Sequence, residues 1–457
     1  MPANIRSGII TLLHTACGAG ILAMPFGFKP FGLFPGFAIL TVCALCSTLG
    51  LLLQARVAQY TPAKGASFFT LAQLINPNLS IMFDLAIAIK CFGVGISYII
   101  VVGDLIPLIL FVFTRNSLLL NRNFNITLIM TFVIGPLCFL KKLNSLRYAS
   151  MVAISAVAYL CVLVVFHFLW PSEAIHDLQG NVSYGFPTGE PSPLTTLPIF
   201  IFAYTCHHNM FSVINEQKDG SFKNIKKIAV GSMILAYLLY CLIGFSGYLT
   251  FGDNIVGNII TLYPLSLSST IGRVAIVLLV TFAFPLQCHP ARASIHHIIH
   301  YVEERRKKSA QEDDLSNSSE NSRELQRIVT NEHETLLAEQ LVVEESNTQP
   351  QEVPLTGRRF IIITTCILIA SYLVAILVSE LAKVLSIVGA TGSTSISFIL
   401  PGTFGYQLIG SEFTENSTNS MSKFDKFLKY AALCLVIWGV FVMVTSLSAT
   451  LLLGASH

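Results

Sequence analysis

Long apolar runs separated by short polar stretches dominate this chain. A helix needs about 20 apolar residues to cross the hydrocarbon core of a bilayer, and nearly every run reaches that length. The pattern therefore predicts eleven membrane-spanning helices, named spans 1 to 11 in chain order. They are residues 6–28, 31–56, 81–113, 124–141, 146–169, 194–215, 225–250, 270–298, 359–380, 383–410 and 428–453.

The composition agrees with this pattern. Of the 457 residues, 53% are hydrophobic and only 12% are charged, whereas soluble domains carry about 25% charged residues. A soluble core could not hide so much apolar surface, but lipid solvates the outer faces of membrane helices. We expect an all-α integral membrane protein.

Lysine and arginine placement predicts the orientation of the spans, because these residues concentrate in cytosolic segments. With the N-terminus in the cytosol, 21 of the 28 lysines and arginines fall in inside segments, and four fall outside. Lys90, Arg273 and Arg292 lie within spans. We therefore predict a cytosolic N-terminus and a lumenal C-terminus.

Two polar segments stand out between the spans. Residues 301–357 are rich in charged and amide side chains and predict a disordered cytosolic loop; there Glu332, Leu336 and Leu337 have the form of an acidic dileucine sorting signal. The alternative for these three residues is a short amphipathic helical patch. The opposite loop, 170–193, contains Asn181-Val-Ser183, a glycosylation acceptor that would face the lumen.

Span 1 carries helix-weakening residues near its middle. Gly18 and Gly20 are followed by Pro25, and unwound backbone at membrane depth is tolerated only where it lines a cavity or is buried in protein. Free amides at the start of the second half-helix would suit a carboxylate. The alternative is a glycine face for close helix packing.

Span 6 is interrupted at the corresponding position by polar residues from Tyr204 to Asn209. Paired interruptions in two halves of a chain indicate a transporter site, and five spans per half require an inverted second repeat. Span 6 lacks a glycine here, so full unwinding and polar kinking both stay open. The predicted divisions are 1–169 (first repeat), 170–193 (lumenal loop), 194–300 (spans 6–8), 301–357 (cytosolic loop), 358–410 (spans 9–10) and 411–457 (an extra span).

Ionisable residues inside the spans are candidates for proton coupling, since such residues are costly in lipid and usually functional. Lys90 would either carry a coupling charge or meet an acidic substrate; the alternative is snorkelling toward the cytosolic interface. His207, His208 and His289 are the other candidates, against the alternative of hydrogen-bonded helix contacts. The chain has no HExxH, GxSxG or P-loop motif, so we predict no enzyme, metal site or cofactor.

Four motifs together resemble the amino acid/auxin permease family. They are GAGILAMPF from Gly18, FAYxCH from Phe202, PLQCHPxR from Pro285 and FILPG from Phe398. Within that family the chain looks similar to the fungal vacuolar amino acid transporters of the AVT group. The resemblance covers nearly the whole chain outside 301–357.

The resemblance implies a LeuT-like five-plus-five inverted repeat with an extra C-terminal helix, proton coupling, and amino acid substrates. It implies that backbone around span 1 holds the substrate carboxylate and that span 6 lines the rest of the pocket. The implied substrate-binding residues are Thr15, Cys17, Gly18, Ala19, Gly20, Ile21, Phe202, Ala203, Tyr204, Cys206 and His207.

The leading hypothesis is a proton-coupled transporter that exports amino acids, acidic ones included, from the acidic vacuolar lumen. The alternative is a transport-dead amino acid sensor that signals through 301–357. Expected partners are the amino acid, protons, membrane lipid and a sorting adaptor at that loop, and no nucleic acid.

Overall fold

The computed structural model describes residues 4–62, 64–76, 79–140, 149–187, 191–325, 357–411 and 421–453. This part of the chain is helical and contains no β-strand. Eight of its helices are long and apolar enough to cross a membrane, and a bent pair in span 1 makes a ninth. The predicted all-α membrane fold is confirmed.

The helices follow the predicted order. Two shorter apolar helices, Arg122–Cys138 and Ala153–Leu169, occupy the positions of spans 4 and 5, so the count of eleven spans stays a prediction. Short helices Phe68–Ile75 and Glu173–His176 lie between spans. The remaining spans contain Leu33–Val57, Leu79–Leu110, Phe222–Phe251, Leu267–Leu325, Gly357–Leu377 and Lys423–Leu453.

Spans 1 and 6 are both broken. Span 1 consists of helices Ile5–Ala16 and Gly20–Phe28, which meet at 63°. In span 6, helix Pro193–Ala203 ends before Tyr204, and regular helix resumes only at Met210–Glu216 after a 3₁₀ turn. The polar residues of span 6 therefore interrupt the helix without a glycine, and the open question between kinking and unwinding is resolved in favour of unwinding.

Span 10 is also irregular, in a different way. Between helices Leu381–Val388 and Leu400–Leu408 it contains two π-helical turns, Gly389–Ser393 and Ser395–Ile399. Such turns are frequent at functional sites. The small residues of the first turn approach span 3 closely, because a Cβ at Gly392 would lie 2.8 Å from the Lys90 backbone nitrogen.

The packing of the bundle encloses both breaks. The second half of span 1 packs against span 7 and the first half of span 6, and the latter also packs against spans 10 and 11. Every residue from Thr196 to Ala203 is buried. Spans 9 and 11, in contrast, expose leucine, isoleucine and phenylalanine side chains on their outer faces, as helices solvated by lipid do.

Span 8 continues as a helix to Leu325, so residues 301–325 differ from the predicted disordered loop. Glu, Lys, Arg and Gln are good helix formers, and a preceding span can nucleate a helix that composition alone does not suggest. Arg359 donates to both carboxylate oxygens of Glu303 at 2.9 and 3.0 Å, which joins this extension to span 9. Residues Glu332, Leu336 and Leu337 lie outside the described residues.

The 170–193 loop is tied to the neighbouring spans. The Leu33 amide donates to Ser183 O at 2.9 Å, and the Asn181 amide donates to the Asp253 carboxylate at 2.7 Å. The Asn181 residue is nevertheless exposed. Its side chain is therefore accessible for modification on the side that the charge distribution assigns to the lumen.

We predict that Asn181 carries an N-linked glycan. Replacing it (Asn181→Gln) should remove the mobility shift that an endoglycosidase produces in the wild-type chain, because glycosylation occurs only on the lumenal side. The matched control is Asn317→Gln, which alters a second acceptor pattern on the predicted cytosolic side and should leave the shift intact. A mobility shift that depends on Asn317 instead would contradict the predicted orientation and indicate the opposite one.

Candidate functional site: two broken helices and a buried lysine

The two breaks contact each other at Gly20. A Cβ at this position would lie 3.0 Å from Phe202 Cδ1 and 3.1 Å from Ala203 Cα. Such distances are tighter than ordinary van der Waals contact, so a side chain here would push the two segments apart. Glycine therefore permits the start of the second half of span 1 to pack directly on the end of the first half of span 6.

The break in span 1 leaves backbone amides without acceptors. Cys17 has a non-helical backbone (φ −77°, ψ 63°), and its amide still bonds to Leu13 O at 2.9 Å. In the described part of the chain, no backbone acceptor is recorded for the amide of Ala19. Gly20 begins helix Gly20–Phe28, at the positive end of the helix dipole. The next two amides bond back to the break, Ile21 to Gly18 O at 3.2 Å and Leu22 to Ala19 O at 3.1 Å. No backbone acceptor is recorded in this region for the Gly20 amide. This end of the helix suits a carboxylate.

Tyr240 of span 7 joins the two breaks. Its hydroxyl lies 2.9 Å from Ala16 O and 2.7 Å from Ala203 O, the carbonyls of the last residues of the two first half-helices. The ring of Tyr204 packs edge-on against Tyr240, with ring centroids 5.1 Å apart. Tyr240 is not distinguished in the sequence, because a tyrosine in an apolar helix carries no signal of its role.

Lys90 lies inside the bundle and does not snorkel. Its side chain is 3% exposed, and Nζ lies 3.1 Å from His208 Nε2 and 3.4 Å from Gln287 Oε1. Among the described residues, no carboxylate forms an ion pair with it. Three separate spans thus contribute one polar cluster, named here the Lys90 cluster: Lys90, His208 and Gln287.

Tyr98 connects the Lys90 cluster to the break in span 1. Its hydroxyl would lie 3.2 Å from a Cβ at Gly18, and it also faces Gln287. A chain of polar side chains therefore leads from the break, through Tyr98 and Gln287, to Lys90. Tyr98 is a second residue that the sequence pattern did not single out.

The other two histidine candidates lie elsewhere. His207 Nε2 lies 2.9 Å from Ser47 O, and Gln54 donates to the His207 carbonyl at 3.2 Å, so this ring faces span 2. His289 is exposed on the side of span 8 away from the Lys90 cluster. The structure therefore brings two of the four proposed proton-coupling residues together, Lys90 and His208, and separates the others.

The remaining predicted binding residues surround the breaks. Thr15 Oγ1 accepts a hydrogen bond from Asn209 Nδ2 at 2.9 Å, which links the first helix of span 1 to the interruption in span 6. Ile21, Ala203 and Cys206 are fully buried or nearly so. Beside Cys17, a cavity of about 120 Å³ extends between spans 1, 5 and 7, with mostly apolar walls.

Comparison with known proteins places the chain among transporters. The family described as transmembrane amino acid transporter protein matches residues 1–445. Vacuolar amino acid transporter 6 of Saccharomyces cerevisiae is 60% identical over 99% of this chain and 100% of its own length. Vacuolar amino acid transporter 5 of the same yeast is 55% identical over the full length of both chains. The predicted resemblance is confirmed, and these relatives are named as transporters, not enzymes.

The fold has counterparts among solved structures. A manganese transporter of Eremococcus coleocola superposes with a TM-score of 0.55 at 12% identity, over 98% of this chain and 86% of that chain. At such low identity the similarity shows the fold alone. The predicted LeuT-like fold class is confirmed.

The bridge made by Tyr240 predicts a stability effect. Tyr240→Phe would leave the carbonyls of Ala16 and Ala203 without this partner, at a cost of about 1–3 kcal/mol for a buried unsatisfied group. We expect a lower melting temperature for the detergent-solubilised chain. The control is Tyr237→Phe, which loses a hydroxyl 3.0 Å from Thr41 Oγ1 at a partly buried position on the same helix. Equal effects of the two variants would contradict the bridging role.

Proposed function

This chain belongs to the transmembrane amino acid transporter protein family, and from that premise we propose that it is a proton-coupled secondary transporter of amino acids. The family and the two yeast relatives support amino acid transport across the vacuolar membrane. The proton coupling, the export from lumen to cytosol and the substrate site are our further proposals. They rest on the arrangement of the breaks and the Lys90 cluster.

The substrate site lies between the breaks. The free amides at Ala19 and Gly20 would receive the α-carboxylate, because they combine unsatisfied donors with the positive end of a helix dipole. The carbonyl end of helix Pro193–Ala203 carries the opposite partial charge and would receive the ammonium group. Half-helices whose ends point at the charged groups of the substrate are a recurring design in transporters of this fold.

The single observation that carries proton coupling is the contact between Lys90 and His208. Both side chains can hold a positive charge, yet their nitrogens lie 3.1 Å apart, with Lys90 buried and His208 partly buried. Two like charges at this distance disfavour each other strongly, so the pair accepts one proton far more readily than two. We propose that this pair binds and releases the coupling proton.

The polar chain through Gln287 and Tyr98 gives the proton a route for influencing the substrate. A change of charge at Lys90 would alter the electric field at the span 1 break, which lies at the other end of this series of polar side chains. Because Lys90 has no carboxylate partner among the described residues, it also suits an acidic substrate side chain, so acidic amino acids belong to the proposed substrate class. The high proton concentration of an acidic lumen would protonate the Lys90–His208 pair from the lumenal side. The proton gradient would then drive export of the amino acid to the cytosol.

Transport into or out of vesicles tests the coupling directly. Vesicles containing the full chain are loaded with labelled amino acids at acidic internal pH, and efflux is followed with and without a proton ionophore. We expect efflux to follow the imposed pH gradient and to collapse with the ionophore. Efflux that ignores the ionophore would contradict proton coupling, and amino acid binding without any flux would favour the sensor alternative.

Lys90→Met separates the two roles of the lysine. We expect gradient-driven efflux to fall at least about tenfold, since a hydrogen bond to a charged group contributes roughly 1.5–3 kcal/mol. Exchange of labelled for unlabelled neutral amino acid needs no net proton movement and should persist, whereas exchange of acidic amino acids should fail if Lys90 also contacts their side chains.

The control for this substitution is Lys29→Met, at the outer end of span 1, where the ammonium lies over the Phe26 ring. It should leave both efflux and exchange unchanged. Full gradient-driven efflux by Lys90→Met would remove the lysine from the coupling mechanism. The same assays on Lys90→Arg show whether a retained positive charge is sufficient.

A further inference from the structure

A second group of buried polar side chains lies apart from the breaks. His167 is near the end of span 5, Tyr263 is in the connection between spans 7 and 8, and Arg273 is in span 8. Their exposed fractions are 5%, 2% and 1%. We name them the Arg273 cluster. The predicted topology puts all three near the lumenal side.

Tyr263 holds this cluster together. The imidazole of His167 stacks on the Tyr263 ring, with centroids 4.8 Å apart and an interplanar angle of 20°. Arg273 Nη2 donates to the Tyr263 carbonyl at 2.5 Å. Within the described residues, no hydrogen bond or ring contact is recorded between these three side chains and the two breaks. The Arg273 cluster is therefore distinct from the proposed amino acid site.

The Arg273 cluster contains several polar atoms without partners. In the described part of the chain, Arg273 Nε and Nη1, the Tyr263 hydroxyl and both ring nitrogens of His167 are buried and form no hydrogen bond. No described carboxylate forms an ion pair with Arg273. Asp104, near the same end of span 3, is engaged by Arg122 and Asn258.

This arrangement is costly unless an anion completes it. A guanidinium cannot lose its proton in a protein, and an isolated buried charge costs several kcal/mol. An arginine within a span is by default a functional residue with a partner. The unsatisfied atoms of the Arg273 cluster are mainly hydrogen-bond donors, namely two guanidinium N–H groups, a phenol and one imidazole N–H.

We propose that the Arg273 cluster binds a small inorganic anion. The guanidinium provides the charge, and the Tyr263 hydroxyl and the His167 N–H provide further hydrogen bonds. The enclosure of all three side chains favours a small ion such as chloride or inorganic phosphate over a larger solute. The bound anion joins span 5, span 8 and the connection after span 7.

Anion-dependent stability of the purified full-length chain tests this proposal. Because a ligand that binds only the folded state stabilises it by mass action, the melting temperature should rise when chloride or phosphate replaces gluconate at constant ionic strength. The rise should saturate with anion concentration. The chloride and phosphate series, run separately, identify which ion the site accepts.

Substitutions distinguish a site from a general salt effect, since phosphate also stabilises proteins by exclusion from their surface. Arg273→Gln should abolish the saturable rise. Arg115→Gln should preserve it, because Arg115 is exposed and its guanidinium packs on the Phe111 ring. Tyr263→Phe and His167→Gln retain the guanidinium and should move half-saturation to higher anion concentration.

Two results would overturn the proposed anion site. A wild-type melting temperature that is the same in gluconate, chloride and phosphate excludes the site, as does a saturable rise of equal size in Arg273→Gln. If Arg273→Gln does not fold, the Tyr263→Phe and His167→Gln titrations decide the matter, and unchanged half-saturation in both contradicts anion binding at the Arg273 cluster.

Discussion

The backbone of a membrane-spanning segment must satisfy its own polar groups, and the rest of this structure depends on how spans 1 and 6 break that rule. Each span loses its helical hydrogen bonds in the middle of the bundle. One tyrosine hydroxyl from span 7 bonds to the ends of both first half-helices, and Gly20 brings the two segments into contact. In span 1, no backbone acceptor is recorded among the described residues for the amides of Ala19 and Gly20. A transporter needs such polar backbone in an apolar surrounding, because the substrate is charged at both its carboxylate and its amine.

The Lys90 cluster places a titratable group near the two breaks, and among the described residues no carboxylate forms an ion pair with it. Lys90, His208 and Gln287 come from three spans that also carry the breaks or pack beside them. A fixed carboxylate would neutralise the lysine permanently, whereas a histidine partner leaves the charge of the pair dependent on proton supply. Under the proposed proton coupling, the transport cycle would need no sodium site, since one exchangeable proton would act as its cation.

Much of the fold was predictable from sequence, because span length and charge placement are imposed by the bilayer itself. The break in span 1 followed from Gly18, Gly20 and Pro25, and the break in span 6 from its polar run. Tyr98 and Tyr240 could not be predicted, since their roles depend on three-dimensional neighbours and not on spacing. The separation of His207 from His208, which are adjacent in sequence, likewise follows from the unwound backbone that turns one ring toward span 2 and the other toward Lys90. The helix over 301–325 could not be predicted from composition, which favours disorder for this segment. Composition does not show that the preceding span can nucleate a helix there.

The central claim, a substrate site between the two breaks, is tested most directly by the native cysteines within them. Cys17 and Cys206 are buried in the breaks, whereas Cys366 is exposed on span 9. The alkylation rate of each thiol by a membrane-permeant maleimide can be followed by mass spectrometry in vesicles, with and without a transported amino acid. We predict that the amino acid slows alkylation of Cys17 and Cys206 in a saturable manner and leaves Cys366 unaffected. Alkylation of Cys17 and Cys206 that is unchanged by a saturating concentration of a transported amino acid would contradict the site.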